Sequence, residues 1–362
     1  MKNLKTQGFI LLDVDAVALN NAGKNTQSNF ENAVATKKIY KDGRSYVYVS
    51  GQAWRYWWRD SLQKMFNWEL SPVIRESKIA FTAANPLKYP DDDIFGYMKA
   101  AKEVVLDENG NPVKDSKGKE KKEDVTVTRV SPLKNSVLVS AGSVRPAENW
   151  SSMARQDGDS VPYSKQEYSA ILKGMFSLDL EQAGTFATYN KTGFKNLTDV
   201  LKKDALQNGA SEIEDPYMKD DKGAPYKLIR LPKTERKKRI CEVILALKNI
   251  SGGAMQTNNL GDVTPKFIIL ATTNSGNHPF SHIISSTGRE GEIVDLNTEA
   301  IKEVLKEYAS NFIGEIYIGR RSGFMDEKAG ALKALEQDFS NVKVLPVNEA
   351  IDQYTQQLKT QL

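Results

Sequence analysis

The chain's first apolar run, Gly8-Phe9-Ile10-Leu11-Leu12-Asp13-Val14-Asp15-Ala16-Val17, alternates in its second half and predicts a buried strand. A polar loop with a glycine, Asn20-Asn21-Ala22-Gly23-Lys24-Asn25, follows. Ile39-Tyr40 and Ser45-Tyr46-Val47-Tyr48-Val49 are β-branched and aromatic runs around Lys41-Asp42-Gly43-Arg44, and the Asp-Gly pair predicts a tight hairpin. Ser50 stands where a helix N-cap belongs. From Gln52 the period changes, with Trp54, Trp57, Trp58, Leu62, Met65 and Phe66 at three- and four-residue steps on a buried face. The opposite face carries Gln52, Arg55, Arg59 and Gln63.

Beyond this helix the pattern breaks up. Ile79–Thr82 is followed by Asn85–Asp93, a turn-rich stretch; Asp107–Asp124 holds a single apolar residue, Val113, and is expected to be a mobile tip. Val125–Val130 and Val137–Ser140 are strand-like, and Trp150–Pro162 is polar and irregular. Alternation returns at Phe176–Leu180 and Gly184–Tyr189. A second excursion, residues 190–233, contains a short helix near Leu197–Leu206, an acidic turn and the strand-like Tyr226–Pro232. This excursion is too polar for a core of its own, so Tyr226, Leu228, Ile229 and Leu231 are expected to need a neighbouring copy to cover them. Thr234 caps a helix through Asn249, and Ser251-Gly252-Gly253-Ala254-Met255-Gln256 leads by a polar loop into the strand Pro265–Ala271. The last third predicts helix 297–312, strand Glu315–Gly319, helix Asp326–Ser340, strand Val342–Leu345 and helix 347–361. Without a regular βαβ repeat, the class is α+β.

Charge changes this picture locally. The net charge of +4 over 362 residues is modest, but residues 1–60 carry nine Lys/Arg against five Asp/Glu, with Lys37, Lys38 and Arg44 just ahead of the helix. Arg230–Arg239 carries six basic residues and one acid. The row Gln52, Arg55, Arg59 starts in a helix's first turn, where free N–H groups and the dipole favour anions; such a stripe is also what any solvated helix face shows. Apolar content of 40% and charged content of 27% describe a soluble globular protein, and no run approaches the roughly 20 apolar residues of a membrane span. The N-terminus reads directly into a strand rather than a signal core, so a cytoplasmic location is expected. The single Cys241 sits in the apolar helical run Ile240–Leu247 as packing. Asp13 and Asp15 share a strand face but have no third ligand nearby, and His278 and His282, the only histidines, have none either. No metal, cofactor or catalytic residue is expected.

Ser50-Gly51-Gln52-Ala53-Trp54-Arg55 leading into a helix, and the Ser-Gly-Gly-Ala loop followed by Pro265-Lys266-Phe267-Ile268-Ile269-Leu270, carry a resemblance. In order and motif the chain resembles the backbone subunit of type I CRISPR surveillance complexes (Cascade), in the DevR autoregulator branch linked to type I-B-like systems. The resemblance implies an RRM-like (ferredoxin-like) palm formed by residues 1–60, 166–189 and 234–362, a fingers insertion at 61–165 with its tip near 107–124, and a thumb hairpin at 190–233. It implies that copies polymerise along the CRISPR RNA as a filament, with other Cascade subunits as partners and target DNA held by guide pairing. It maps the guide-contacting Ser, Gln and basic residue onto Ser50, Gln52 and Arg55, with Arg59 one turn on. The wider candidate RNA-binding set is Asn20, Asn21, Lys24, Lys37, Lys38, Arg44, Lys227, Arg230, Lys233, Ser251, Gly252, Gly253, Met255 and Gln256. No RNP1 motif is present, which argues for backbone gripping rather than base stacking. The expected function is therefore non-catalytic guide-RNA binding in antiviral defence. A type III-like subunit cutting target RNA with Asp13 or Asp15 is the alternative, followed by a stand-alone RNA- or DNA-binding autoregulator.

Overall fold

A computed structural model of the chain describes residues 3–29, 31–76, 79–105, 107, 111–153, 157–189 and 195–362. It divides into two compact units: Lys2–Phe66 with Lys134–Asp179 and Cys241–Leu362, and Asn67–Leu133 with Leu180–Ile240. Residues 134–165, assigned to the fingers by the sequence reading, thus fall in the first unit, whereas 67–133 and 180–240 form the second together.

The first unit is built on one large sheet. Its main path uses β1 (Lys5–Val17), β2 (Lys38–Lys41), β3 (Arg44–Val49), β4 (Leu138–Ser140), β5 (Val161–Asp179), β6 (Phe267–Thr273), β7 (Ile316–Arg320) and β8 (Val342–Leu345), in the spatial order β8-β7-β6-β1-β5-β4-β3-β2. All neighbours are antiparallel except β7 and β8. β1 and β6 are central and read as continuous apolar runs because both faces are covered.

Odd-numbered Phe9 and Leu11, with Phe267 and Ile269, pack against Ile301 and Leu305 of α3 (Thr298–Glu307) and Leu332 and Leu335 of α4 (Ala329–Asp338). On the even side, Trp54 and Trp58 of α1 (Gly51–Phe66) stack at 5.6 Å, and the Phe176 ring meets Trp58 edge-on at 5.1 Å. The Trp58 indole N–H donates to Val243 O (2.8 Å) in α2 (Lys233–Leu245), and the Tyr354 hydroxyl of α5 (Val347–Gln361) donates to Thr6 Oγ1 (2.7 Å). Burying a polar side-chain tip demands such a partner. Cys241 is buried packing, as expected.

Several sequence expectations need correcting. The Asn20–Asn25 loop contains a short strand, Asn21–Lys24, paired with Ala33–Thr36. Within the stretch expected to be irregular, Trp150–Met153 belongs to a strand: Ala147–Met153 pairs with the first half of β5, where most of the polar residues stay exposed or half-buried. Asn85–Asp93 ends in a helical turn, Pro90–Phe95. Thr234 is not the cap, since α2 already includes Lys233. Part of the expected mobile tip at 107–124 and residues 190–194 of the expected thumb lie outside the described residues.

The largest correction concerns the second unit. Thr185–Ala187, Ser211–Lys219 and Pro225–Arg230 form a three-stranded sheet, and with the helix Asp199–Gln207 they enclose a core of Phe186, Leu197, Ala205, Ile229 and Leu231. Ile229 is wholly buried and Leu228 nearly so within one chain. Covering them takes no second copy, because Phe186 and Leu87, from outside residues 190–233, complete the core. A charge cluster also holds this unit. Asp93, fully buried, accepts from Arg129 Nη2 (2.5 Å), Arg239 Nη1 (3.0 Å) and Gly184 N (2.9 Å). Arg129 further donates to Thr185 O and Gln182 O, and Arg239 to Pro86 O. Among the described residues, no helix is long and apolar enough to cross a membrane.

Candidate nucleic-acid interface

The start of α1 is fixed from three directions. Ser50 Oγ accepts from Ala53 N (3.3 Å) as the expected cap, while Ser50's own N–H donates to Asn20 Oδ1 (2.8 Å). Asn20 O accepts from Lys37 N (3.2 Å), and Leu19 O accepts from Ala254 N (3.0 Å). The end of β1, the entry to the hairpin, the helix start and the glycine loop therefore meet. Asn20 acts here as a strut, its side chain spent on the backbone of Ser50.

The glycines of the loop are a packing necessity. A Cβ on Gly252 would stand 2.3 Å from the Trp57 ring, and one on Gly253, which has φ +108, would stand 2.5 Å from Leu19 Cδ2. Ser251 N donates to Ser61 Oγ (3.4 Å) of α1, and the Gln256 amide donates to Gly252 O and to Gly261 O (3.3 Å), folding the loop back on itself. Met255 occupies the left-handed region at φ 60.

Gln52 is exposed, and Arg55 and Arg59 are half-buried one turn apart. Burial, and then the neighbouring Arg59 guanidinium, press the Arg55 pKa down to about 10. The Arg59 guanidinium thus disfavours the charge on Arg55, and an anion bound beside Arg55 would reverse that cost. Arg55 Nη1 donates to Asn135 Oδ1 (3.1 Å); the Asn135 amide N–H₂ in turn donates to Gly51 O (3.2 Å) and Ser136 O (3.0 Å). Gly51 leaves room for this: a Cβ there would lie 3.2 Å from Asn135 Nδ2. Asn135 lies in a three-residue strand, Leu133–Asn135, with no periodicity or motif to mark it.

The other candidates separate. Asn21 and Lys24 are exposed on their short strand. In the second unit, Lys227 is paired with Glu214 (3.0 Å), Arg230 with Glu181 (3.0 Å) and Thr185 Oγ1 (3.1 Å), and Lys233 is exposed at the first turn of α2. Lys37, Lys38 and Arg44 belong to the β2–β3 hairpin, where Asp42 and Gly43 both take positive φ (52 and 74), as a twist-matched turn requires. Lys37 and Arg44 face one side of the sheet and Lys38 the other, by the alternation of strands.

Asp13 and Asp15 project from β1 to solvent. Burial, and more weakly Asp15, raise the Asp13 pKa against the opposing charge of Lys266, and Asp15 accepts from Ser169 Oγ. His278 is structural: burial lowers its pKa to about 4, and its Nε2–H donates to Gly8 O (2.9 Å). Among the described residues no group of three or more His, Cys, Asp or Glu is placed to share a metal ion.

The architecture places the chain in the α+β class, with a large mixed sheet and a second unit drawn from two separate stretches. A solved chain titled "CRISPR RNA-guided surveillance complex, pre-nicking" shares this fold, with a TM-score of 0.50 at 8% identity over 98% of this chain and 99% of that one. Another, titled "CRISPR RNA-guided surveillance complex", superposes with a TM-score of 0.47 at the same identity and coverage. Residues 10–288 match the model of the CRISPR-associated negative auto-regulator DevR/Csa2 family, and the chain belongs to that family. No curated protein matches its sequence.

Proposed function

We propose that this protein is a non-catalytic backbone subunit of a type I CRISPR surveillance complex that grips the sugar-phosphate backbone of a guide RNA, polymerises along it and leaves base edges free to pair with target DNA. The observation that carries this reading is the α1 start, where Arg55 and Arg59, exposed Gln52 and the capped first turn stand beside the glycine loop 251–256. Backbone amides, a helix N-terminus and paired guanidiniums are the donors that suit phosphates without reading sequence. The strand order β6-β1-β5-β4, all antiparallel, with α1 between β1 and β4 and α2 between β5 and β6, supports an RRM-like palm. The outward Asp15, tied to Ser169, speaks against a cutting role.

The test is to express the protein with its guide, extract the co-purifying nucleic acid, and compare Arg55→Ala/Arg59→Ala with wild type. The double variant is expected to bind guide more weakly, with the log–log salt slope reduced by roughly 0.7–0.9 for each phosphate it no longer neutralises. An unchanged slope would place the guide elsewhere. With guide, matched RNA and Mg²⁺, no cleavage is expected; cleavage abolished by Asp13→Ala or Asp15→Ala would favour the type III-like alternative.

A further inference from the structure

The antiparallel register sorts the hairpin and its neighbours onto two sides of the sheet. Val47 and Val49 point to the α1 side and are buried, so Arg44, Tyr46 and Tyr48 occupy the other. Directly opposed residues share a face: Lys41 stands across from Arg44, Ile39 across from Tyr46, and Val139 across from both Tyr48 and Lys173. Tyr48 N donates to Lys37 O (3.0 Å), which continues the ladder by one residue and adds Lys37 to the same face. Four adjacent strands thus present Lys37, Lys41, Arg44 and Lys173 around Tyr46 and Tyr48, with Ile39 44% exposed at the edge.

None of these four cations has a carboxylate partner among the described residues, although ion pairs are common elsewhere in the first unit, as in Lys5–Asp179, Lys165–Glu167 and Lys248–Asp352. Arg44 donates only to a carbonyl, Arg289 O (3.2 Å). In that adjoining loop Glu290 is paired with Arg145, and Glu292 accepts from Glu290 N. Asp42 lies at the exposed hairpin tip. Lys173 is half-buried, and burial together with Lys41 lowers its pKa, so its charge lacks compensation within the chain.

We propose that this basic, tyrosine-bearing sheet face, on the side of the sheet away from α1, binds a second single-stranded nucleic acid segment by stacking bases on Tyr46 and Tyr48 while the four cations meet its phosphates. Unpaired cations interleaved with aromatic rings suit a flexible polyanion with flat bases. An acidic protein would satisfy the charge but give the rings nothing to stack on.

The experiment uses the full chain and short fluorescent oligo(U) and oligo(dT). Wild type is expected to bind two strands per protomer. Lys37→Glu/Lys41→Glu removes one of them, with a salt slope lower by about 1.4 for two phosphates of a single strand; Arg55→Ala/Arg59→Ala removes the other. On wild type, ultraviolet cross-linking of bromouridine oligomers, read by mass spectrometry, is expected to mark Tyr46 or Tyr48. Three results overturn the proposal: unchanged stoichiometry and slope after charge reversal, cross-links absent from both tyrosines, or polyglutamate competing as well as RNA. If the Arg55/Arg59 variant alone binds normally, it is the guide assignment that fails and not this face.

Discussion

At the scale of single residues, charge in this chain is governed by what a guanidinium is allowed to touch. Arg55 is held by Asn135, whose amide is locked in orientation because its N–H₂ group has two carbonyls to satisfy. Asn135→Ala should therefore weaken guide binding, and in an Arg55→Ala background it should weaken it no further. Additive losses in that double-mutant cycle would mean Asn135 acts only on stability. Residue-level legibility was uneven. Arg55 and Arg59 announced themselves through helical spacing, whereas Asn135 reaches Arg55 across 80 positions and left no local trace. Arg230 and Lys227 have the look of phosphate donors in the sequence, and only the fold brings their partners Glu181 and Glu214 beside them.

At the scale of elements, the glycine loop is a wedge whose shape is set by Trp57 and Leu19. Gly252→Ala must push the indole or the loop aside and is expected to cost about 1–3 kcal/mol of stability, with guide affinity falling in parallel; urea titration with RNA binding checks both. The segment carrying His278 is held to β1 by a neutral imidazole donating to Gly8 O. Its folded pKa of about 4 lies below the ordinary 6.5, so the unfolded chain takes the proton first. This contribution is present above pH 6.5, is lost as pH falls toward 4 and is flat below that. His278→Gln should flatten the acid limb of a stability–pH profile between those values; an identical limb would contradict the assignment.

Elements set by local chemistry were legible in advance: the Asp-Gly hairpin, the tryptophan helix and the alternating helices and strands after residue 297. The first half of β5 was not, because most of its polar residues remain exposed or half-buried and resemble a loop. The small core of the second unit was missed because it is assembled from Phe186, Leu197, Ala205 and Ile229, with Leu87 packed against it from a distant stretch.

At the scale of the whole molecule, each unit closes only through long-range partners. The second unit joins Asp93, Arg129 and Arg239 into one buried cluster. Asp93→Asn leaves two guanidiniums without their counter-charge and is expected to cost about 3–5 kcal/mol, seen in calorimetry as early melting of this unit; a wild-type trace would show that the cluster contributes little. Excising Leu197–Leu228 would likewise remove Leu197 and Ala205 from that unit's core, with the helix and one strand of its sheet, so such a deletion cannot report on filament formation alone. Surface charge reversals are the cleaner probe of assembly.

The reach of Arg239 also bears on how the protein is made. Until the ribosome has delivered residue 239, Asp93 can meet only one of its two guanidiniums, that of Arg129. β1, meanwhile, must wait for β6 to cover its second edge. A nascent chain interrupted before the second half of α2 would therefore carry a carboxylate short of one guanidinium and an apolar strand with an open edge. Premature termination in this gene should yield fragments that depend on chaperones rather than a stable short form, and pulse-chase turnover of chains truncated just before and well after β6 would reveal the difference.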